Sequence, residues 1–507
     1  MKRLPIGISD FKELIEGNYV YVDKTEYIHR LIKEGKYYFL SRPRRFGKSL
    51  LLSTIRYLFE GKRELFKGLY IEDKWNWEDI YPVIRIDFSE AQVRDEKELE
   101  KELKATVIEL GKNYNYRYNK EYTISRNFSL LVKRCYENKK KKVVILIDEY
   151  DKVILDNIGN KEEVEKIRDL LKNFYGVLKG LDEYIRFVLV TGVSKFSKVS
   201  LFSGLNQLED ISLSKEYGDI CGYTQEELEN NFKEYLEGLD KEEIKEWYNG
   251  YNFLGDRLYN PFDILLYLKN RKLRNYWYET GKAEFLFKLI KERQYELPYL
   301  NRDYYTSEIL DKFDIEYISI EALMYQSGYL TIKEVKEIEG EEMYILDYPN
   351  REVRQSFNRE LLYYITGRRR EDRISRLKIA IIEENIEEIR KQIEIFFSTI
   401  SYEVLKSEYV YQAAVYGLIY SMGYNVIIED NTSKGRIDLA VVVNRSIVYI
   451  MEFKVVSKEE EKGKAIKQIK EKEYFKKYMN YEKLYIIGIE IDKNKKEIVN
   501  FEYEKRI

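Results

Sequence analysis

Three side chains near the carboxyl end of the chain have the types and spacing of a metal-dependent phosphodiesterase. Asp438 lies in one β-prone run, and Glu452 and Lys454 lie in the next. A hairpin whose loop is residues 444–446 places Asp438 opposite Glu452, because the two residues are equally far from the loop along their strands. Lys454 follows Glu452 by two residues, so it points to the same face of the strand. The sequence therefore predicts two carboxylates and an amine on one face.

These groups suit the hydrolysis of a phosphodiester with magnesium. Two facing carboxylates repel each other unless a cation lies between them. Magnesium takes oxygen ligands, polarises a phosphate and lowers the pKa of a bound water, and a nearby lysine can position that water. We predict that Asp438, Glu452 and Lys454 are catalytic and that both carboxylates bind the metal. In the alternative, Glu452 and Lys454 flank a solvated strand end that Asp438 faces.

Two predicted strands must hold these side chains. Residues 435–443 and 447–456 are both β-prone, and residues 444–446 are the only polar break between them. Because a break of this length suits a hairpin loop, the two runs are expected to pair as neighbouring antiparallel strands.

A second pattern, SRPRRFGKS at residues 41–49, predicts a phosphate-binding loop. A short β-prone run precedes it, and apolar residues recur at helical spacing from Lys48 onward. Gly47, Lys48 and Ser49 therefore fall at a helix N-terminus, where free N–H groups and the dipole favour an anion. Lys48 would reach the β/γ-phosphates, and Ser49 would bind magnesium. Arg42 stands where the usual pattern has its first glycine, so a basic loop that caps a helix is the alternative.

The run VVILIDE predicts a strand at residues 143–147 that is buried on both faces and ends in Asp148 and Glu149. Open α/β sheets bind ligands at the C-terminal ends of such strands. We predict that Asp148 holds magnesium, directly or through water, and that Glu149 orients the attacking water. In the alternative, both acids are solvated at the end of an ordinary strand.

A third predicted strand, residues 185–190, is followed by Thr191. A polar side chain here could contact the γ-phosphate from the neighbouring strand. Thr191 is the first candidate and Ser194 the second, and a simple turn is the alternative. In the loop, Arg45 and its neighbour Arg44 could add charge-assisted contacts to phosphate, or pair with acids elsewhere.

Several stretches, taken in order, resemble one family. LPIGISDFKEL, FLSRPRRFGKSLLLSTI, VVILIDEYDKVI and CGYTQEEL closely resemble the AAA-ATPase-like family of bacterial and archaeal proteins that have a C-terminal PD-(D/E)XK nuclease domain. The loop of that family reads R-P-R-R-F-G-K-S, so Arg42 matches the family pattern. The resemblance also marks Asp23, Lys24 and Thr25 as motif residues, whereas the alternative is a capping box of Asp23 with Glu26.

The C-terminal stretch resembles the PD-(D/E)XK nuclease core, whose signature matches the aspartate, glutamate and lysine described above. Ile437 stands where that signature has proline. The resemblance implies that Glu408, on a helix, adds a metal ligand and that Gln468 lines the site, with Tyr474 as a further match. In the alternative, Glu408 is a solvated glutamate.

The patterns and the resemblance together predict an α/β protein of three parts. Residues 1–215 form an AAA-ATPase-like P-loop NTPase domain with a mostly parallel sheet. Residues 216–375 form a helical lid or linker region, because their pattern is strongly helical and charged. Residues 376–507 form a PD-(D/E)XK nuclease-like domain with an α/β restriction-endonuclease-like fold.

Composition excludes several classes of protein. The 507 residues are 44% hydrophobic and 35% charged with a net charge of −2, so only local patches could contact nucleic acid. A single histidine nearly excludes serine–histidine and cysteine–histidine catalysis. Two cysteines provide no disulfide framework, and no apolar run is long enough for a membrane span, so we expect a cytoplasmic protein.

Two functions are consistent with these predictions. In the first, a protein with ATP and Mg²⁺ as cofactors carries a metal-dependent nuclease that cleaves DNA under nucleotide control. In the second, the protein is a nucleotide-dependent switch or adaptor that forms a homo-oligomer, and its nuclease-like domain only binds nucleic acid. The presence of Asp438, Glu452 and Lys454 together favours the first, because a binding-only domain would not need all three.

Overall fold

The computed structural model describes most of the chain. The described residues are 1–195, 207–277, 286–287, 289–290, 304–307, 310, 319–366, 371–398, 415–432, 435–443, 446–456, 462–492 and 497–507. The chain forms two compact units, one of Met1–Phe285 with Asp303–Asn350 and the other of Leu286–Arg302 with Arg351–Ile507. The boundaries of the three-part division made from the sequence stay a prediction.

A five-stranded sheet belongs to the first unit, with strand order β2-β3-β4-β1-β5 and parallel neighbours. The strands are β1 (Tyr37–Ser41), β2 (Val83–Asp87), β3 (Val143–Asp148), β4 (Ile185–Gly192) and β5 (Glu209–Asp210). β3 and β4 are buried almost throughout, as expected for runs of valine, isoleucine and leucine in a parallel sheet. This confirms the predicted α/β architecture, and it brings the C-terminal ends of the strands to one edge.

Side-chain caps begin several helices of the first unit. Asp10, Asp95 and Thr123 each accept a hydrogen bond from a backbone N–H in the first turn of the helix that follows. Among the described residues before 215, the α-helices are α1 (Phe11–Glu16), α2 (Thr25–Glu34), α3 (Lys48–Phe59), α4 (Glu96–Asn113), α5 (Ile124–Lys139), α6 (Lys152–Asp156) and α7 (Lys161–Gly176).

The later part of the first unit contains strands as well as helices. In the described residues of this part, the α-helices are α8 (Gln225–Asn231), α9 (Lys233–Leu236), α10 (Lys241–Tyr248), α11 (Pro261–Asn270) and α12 (Ile320–Ser327). Its strands are β6 (Asn249–Tyr251), β7 (Leu258–Tyr259), β8 (Tyr304–Thr306), β9 (Thr331–Ile338) and β10 (Glu341–Asp347). These strands were not predicted from the sequence. In β9, most side chains are exposed and so give no alternating apolar pattern.

The second unit contains a five-stranded sheet with the order β11-β12-β13-β14-β15. The strands are β11 (Asn425–Thr432), β12 (Gly435–Val443), β13 (Ile447–Val456), β14 (Lys483–Asp492) and β15 (Ile498–Lys505). β13 and β14 are parallel, and the other pairs are antiparallel. The β12–β13 ladder runs from Val443 opposite Ile447 to Leu439 opposite Met451, which is the register predicted from the loop length.

Helices complete the second unit on both faces of this sheet. They are α13 (Arg351–Thr366), α14 (Glu371–Ile382), α15 (Ile386–Phe397) and α16 (Lys464–Glu471), and residues 415–420 are also helical. Ile466 and Ile469 of α16 pack with Ile450 and Ile486 of the sheet in one apolar cluster. Among the helices in the described part of the chain, none has the length and apolar composition needed to cross a bilayer.

Candidate functional site

The phosphate-loop sequence connects β1 to α3. Gly47 has a φ of 94°, a left-handed conformation that glycine adopts without strain, and α3 begins at Lys48. The first N–H groups of this helix have no partners within it. Lys48 is buried, and its Nζ donates hydrogen bonds to the carbonyl oxygens of Arg42 (2.9 Å) and Pro43 (3.2 Å). A phosphate that replaced these carbonyls as the partner of Lys48 would accept hydrogen bonds from the ammonium group and from the helix N–H groups.

Arg42 does not direct its side chain toward a phosphate site. It is 1% exposed, and its guanidinium donates to four backbone carbonyls at 2.8–3.1 Å, those of Ser41, Ser212, Tyr217 and Gly218. Its Cζ also lies 4.1 Å from the ring centroid of Phe253. Arg42 thus attaches the start of the loop to the segment that follows β5, which gives this arginine a structural role in a position that is usually glycine.

Arg45, a predicted phosphate contact, lies against α11. It has a φ of 69°, and its Cζ is 3.8 Å from the ring centroid of Phe262. The neighbouring Asp263 is buried; burial raises the pKa of its carboxyl, and the charge of Arg45 acts against that rise. Nη1 of Arg45 is buried without a hydrogen bond to any described residue. The arginine has donor capacity left, and its contact with phosphate stays a prediction.

Asp148 lies at the sheet edge where a nucleotide-bound cation is predicted. Its buried side chain accepts hydrogen bonds on Oδ1 from Thr191 Oγ1 (2.7 Å) and from the backbone N–H of Glu149 (3.1 Å). Its Oδ2 accepts no hydrogen bond from a described residue and lies 3.7 Å from Nη2 of Arg85. A buried carboxylate oxygen with open acceptor capacity fits magnesium. Arg85, which lies on β2 beside β3, was not predicted from the sequence.

Glu149, Lys48 and Ser49 line one cavity of about 240 Å³ in the first unit. The remaining walls come from Leu14 and from the segments at residues 5–9, 20–24, 45–47, 50–54, 220–223 and 261–265. Glu149 has a φ of 49°, and burial raises the pKa of its carboxyl while the nearby Lys48 lowers it. The structure therefore brings the adjacent Lys48 and Ser49 to the same cavity as an acid about a hundred positions later in the sequence.

Ser194, the second candidate for a phosphate contact, is bonded elsewhere. Its backbone N–H and its Oγ both donate to Oδ2 of Asp151 at 2.6 Å. Asp151 is fully buried and also accepts from the N–H of Val193. Asp151 was not predicted from the sequence. The pattern that could have indicated it is the second aspartate after the strand, in the stretch DEYD. Thr191, by contrast, contacts Asp148 directly.

The residues of the Asp23–Thr25 motif have two different roles: Asp23 and Thr25 bond to each other, and Lys24 bonds to distant residues. Asp23 accepts hydrogen bonds from the backbone N–H (2.8 Å) and Oγ1 (2.7 Å) of Thr25, which fixes the start of α2. Lys24 lines the cavity, and its Nζ donates to the carbonyl oxygen of Asp219 (2.7 Å) and to a carboxylate oxygen of Glu227 (2.7 Å). Lys24 thus joins the N-terminal segment to α8.

The hairpin in the second unit brings the predicted nuclease residues together. The N–H of Asp438 lies 3.4 Å from Oε2 of Glu452, and Oδ2 of Asp438 accepts from the N–H of Phe453 at 2.9 Å. Glu452 is fully buried; Nζ of Lys454 lies 3.3 Å from its Oε1, and Nε2 of Gln468 donates to the same oxygen. These contacts gather two acids, an amine and an amide on one face of the sheet.

Electrostatics at Glu452 favours a bound cation. Burial raises the pKa of this carboxyl, the facing Asp438 raises it further, and Lys454 acts against both. A divalent ion between the two acids would remove the repulsion and stabilise both charges. The oxygen donors of Asp438 and Glu452 are of the kind that Mg²⁺ prefers, so the residues present fit this metal.

Two further predicted residues have different outcomes. Tyr474 is 2% exposed and packs in the apolar cluster that includes Ile469 of α16. Glu408, predicted as a metal ligand, lies outside the described residues. Within the described ranges, no three His, Cys, Asp or Glu side chains lie close enough together to hold a metal ion, so the hairpin itself provides two carboxylates.

Comparisons with known proteins match two separate parts of the chain to family models. Residues 5–202 match a family model described as a predicted AAA-ATPase, and residues 406–501 match the PD-(D/E)XK nuclease superfamily. The chain is also 41% identical over 517 residues to a protein of Azotobacter chroococcum mcd 1, described as an uncharacterized protein in the vnfD 5' region. That similarity covers 99% of each chain.

Proposed function

The chain belongs to the family of predicted AAA-ATPases that carry a PD-(D/E)XK nuclease superfamily domain, and from this premise we propose that it cleaves DNA with Mg²⁺ under the control of bound ATP. One observation carries the proposal: Asp438 and Glu452 face each other across a hairpin, and Lys454 and Gln468 both contact the glutamate. A purely structural strand end gives no reason to bury a carboxylate beside a second one.

In the proposed reaction each residue at the hairpin has a separate task. Asp438 and Glu452 would hold the magnesium ion, which when bound polarises the phosphate and lowers the pKa of a water. Gln468 keeps the Glu452 carboxylate in one orientation through its hydrogen bond. Lys454, 3.3 Å from Glu452, would orient the attacking water and offset the charge that develops on the phosphate.

The nucleotide site is proposed to work through residues of the loop and the sheet edge. Lys48 would leave its two loop carbonyls for the β/γ-phosphates. Ser49 and Asp148 would hold magnesium, and Thr191 keeps the Asp148 carboxylate in place. Glu149 would orient the attacking water. These tasks assume ATP as the ligand, and Arg45 adds a charge next to the cavity.

A nuclease assay with and without ATP tests the proposal. Wild type and Asp438→Ala are incubated with Mg²⁺ and linear duplex, circular duplex and single-stranded DNA, with RNA as a parallel substrate. We expect wild type to cut DNA and Asp438→Ala to lose this activity by at least about a hundredfold. Glu471→Ala, an exposed acid on α16, is the matched control and should cut normally.

Each contrary result has a definite meaning. Cleavage that survives in Asp438→Ala would show that another site does the chemistry. A wild type that binds nucleic acid but never cuts it would favour the alternative, a nucleotide-dependent switch or adaptor. Light scattering would then test whether it forms a homo-oligomer. RNA cleavage without DNA cleavage would overturn the choice of substrate.

The proposed location is the cytoplasm. Cys135 and Cys221 are both buried and unbridged in the described structure. Buried free thiols fit a reducing compartment, where disulfides are rare. Fractionation of the cells that make this protein would check the location directly.

A further inference from the structure

The helix that holds Gln468 against the metal site is capped by a residue from another element. α16 begins after Gly463, and no side chain of its own N-terminal segment caps it. Instead the carboxylate of Glu490, on β14, accepts hydrogen bonds from the N–H of Gly463 (2.8 Å) and of Ala465 (3.0 Å). Glu490 is fully buried, so this acid satisfies helix N–H groups that water does not reach.

A second contact brings α16 close to the same strand. A Cβ atom added at Gly488 would lie 2.5 Å from the backbone nitrogen of Ile466 and 3.0 Å from its Cα. Backbone atoms of a helix cannot move aside singly, so only glycine permits this approach. β14 therefore holds α16 at two points, the gap at Gly488 and the carboxylate of Glu490.

These two points lie beside the proposed metal-site residues. In the parallel β13–β14 ladder, Gly488 is the partner of Glu452, and Glu490 is the partner of Lys454. Paired residues share a face of the sheet, so α16 packs on the face that carries the acids. From there Gln468 donates to Oε1 of Glu452.

We infer that Glu490 is a positioning residue of the metal site. It holds the N-terminus of α16, α16 holds Gln468, and Gln468 orients the Glu452 carboxylate. Asn500 supports this acid by donating to its Oε2 at 2.9 Å. The inference rests on the proposed function, because it gives Glu490 a role only if Glu452 binds a cation.

Metal affinity, measured without nucleic acid, tests the inference. Mn²⁺ is titrated calorimetrically into the full-length wild type and into Glu490→Gln, Gln468→Ala and the double variant. Glutamine has the shape of glutamate but presents an NH2 group to one of the two backbone N–H groups, so one of the two cap hydrogen bonds is lost. We expect each single variant to bind Mn²⁺ about tenfold more weakly. The double variant should be no weaker than the weaker single one, because both changes break one chain of contacts.

A neighbouring acid provides the control. Glu502→Gln removes an exposed carboxylate that also accepts from Asn500, at 2.8 Å, and lies on the adjacent strand β15. It should bind Mn²⁺ as wild type does. Tenfold losses that multiply in the double variant, or an unchanged affinity in Glu490→Gln, would overturn the inference.

Two further measurements keep the outcomes separate. Asp438→Ala should abolish Mn²⁺ binding at the hairpin and leave any binding at Asp148 of the first unit unchanged. If it does and Glu490→Gln binds normally, only this inference fails. If Asp438→Ala binds Mn²⁺ as wild type does, the proposed metal site is removed as well. If Glu490→Gln lacks a cooperative unfolding transition, Asn500→Ala replaces it, because this variant keeps the acid and removes one of its donors. A normal Mn²⁺ affinity in folded Asn500→Ala would then count against the inference, and a loss of about threefold or more would support it.

Discussion

At the scale of single residues, burial decides what each charged group does. The Arg42 guanidinium is buried on four backbone carbonyls and is therefore committed to structure. Lys48 is also buried, but its two carbonyl contacts belong to the loop in which a phosphate would bind. Glu452 is buried next to another acid, which is unfavourable until a cation binds.

Arg42 provides a prediction about stability. Arg42→Ala should lower the free energy of unfolding of the first unit by about 3 kcal/mol, because hydrogen bonds from a charged donor are lost and buried carbonyls remain. Arg42→Gly, which restores the usual first glycine of the loop, should be destabilised as much. All four tryptophans lie in the first unit, so their fluorescence during urea unfolding reports it.

Exposed Arg44 is the control for this experiment. Arg44→Ala should change stability by no more than about 0.5 kcal/mol, as is usual for a surface substitution. If Arg42→Gly unfolded at the same urea concentration as wild type and bound ATP more tightly, the structural role of Arg42 would be wrong.

Lys454 provides a prediction that separates catalysis from metal binding. Lys454→Ala should lower the rate of DNA cleavage by about a hundredfold, the size expected when a group that orients or deprotonates water is lost. Its affinity for Mn²⁺ should be unchanged or higher, because a positive charge 3.3 Å from Glu452 is removed.

The rate of cleavage and the Mn²⁺ affinity are measured on the same preparations. Lys476→Ala, an exposed lysine paired with Glu473, is the matched control and should resemble wild type in both. Wild-type cleavage by Lys454→Ala would exclude the lysine from the reaction, and a large loss of Mn²⁺ affinity would mean that it acts on the metal site instead.

At the scale of elements, α16 packs on the sheet with its apolar side and carries a polar face next to the proposed metal site. Lys464, Gln468 and Lys472 are spaced by four residues, so they lie along one face of this helix. Gln468 contacts Glu452, and the two lysines therefore flank the acids by about one turn on each side. Four residues of helix rise about 6 Å, so the two lysines lie about 12 Å apart along the helix axis.

From the position of Lys464 and Lys472 on this face, we predict that both lysines bind the nucleic-acid backbone. Lys464→Gln and Lys472→Gln should each weaken DNA binding and reduce the slope of log K against log salt by about 1, whatever the sequence of the DNA. The control is Lys470→Gln, because Lys470 pairs with Glu504 at 2.7 Å on a different side of the helix. Fluorescence anisotropy with Ca²⁺ in place of Mg²⁺ measures binding without cleavage. An equal loss in all three variants would indicate general charge attraction and no defined path.

At the scale of the whole molecule, one chain contains an ATPase-like unit and a nuclease-like unit, each with its own sheet. Nucleotide binding to the first unit should stabilise that unit, by about 2.7 kcal/mol at a concentration one hundred times Kd. Two variants of the first unit can test whether nucleotide binding there also changes DNA cleavage by the second unit.

Lys48→Ala and Glu149→Gln should behave differently. Lys48→Ala should lose the ATP-dependent rise in the tryptophan-detected unfolding midpoint, because the ammonium group for the phosphates is gone. Glu149→Gln should keep this rise but lose ATP hydrolysis, because only the orientation of water is affected. If control by nucleotide is real, cleavage by Lys48→Ala should not respond to ATP. An ATP response in Lys48→Ala equal to that of wild type would contradict both the site and the control.

The sequence by itself determined the features that depend on local pattern. The strands β1, β3, β4, β12 and β13 follow from short apolar or β-prone runs, and the hairpin register follows from a three-residue loop. Asp438 could be placed opposite Glu452 for this reason, since counting along two adjacent strands needs no knowledge of the rest of the fold. The family resemblance came from such local stretches too.

Only the tertiary structure decided the roles that depend on distant partners. Arg42 donates a hydrogen bond to a carbonyl 176 positions away. Asp151 accepts a hydrogen bond from Ser194, and Glu490 caps a helix that begins more than twenty residues before it. A buried charge takes whichever hydrogen-bond partners the fold brings to it, and a sequence pattern contains no record of those partners. The strand β9 was missed for a related reason, because backbone pairing with β10 holds it in place while six of its eight side chains are exposed.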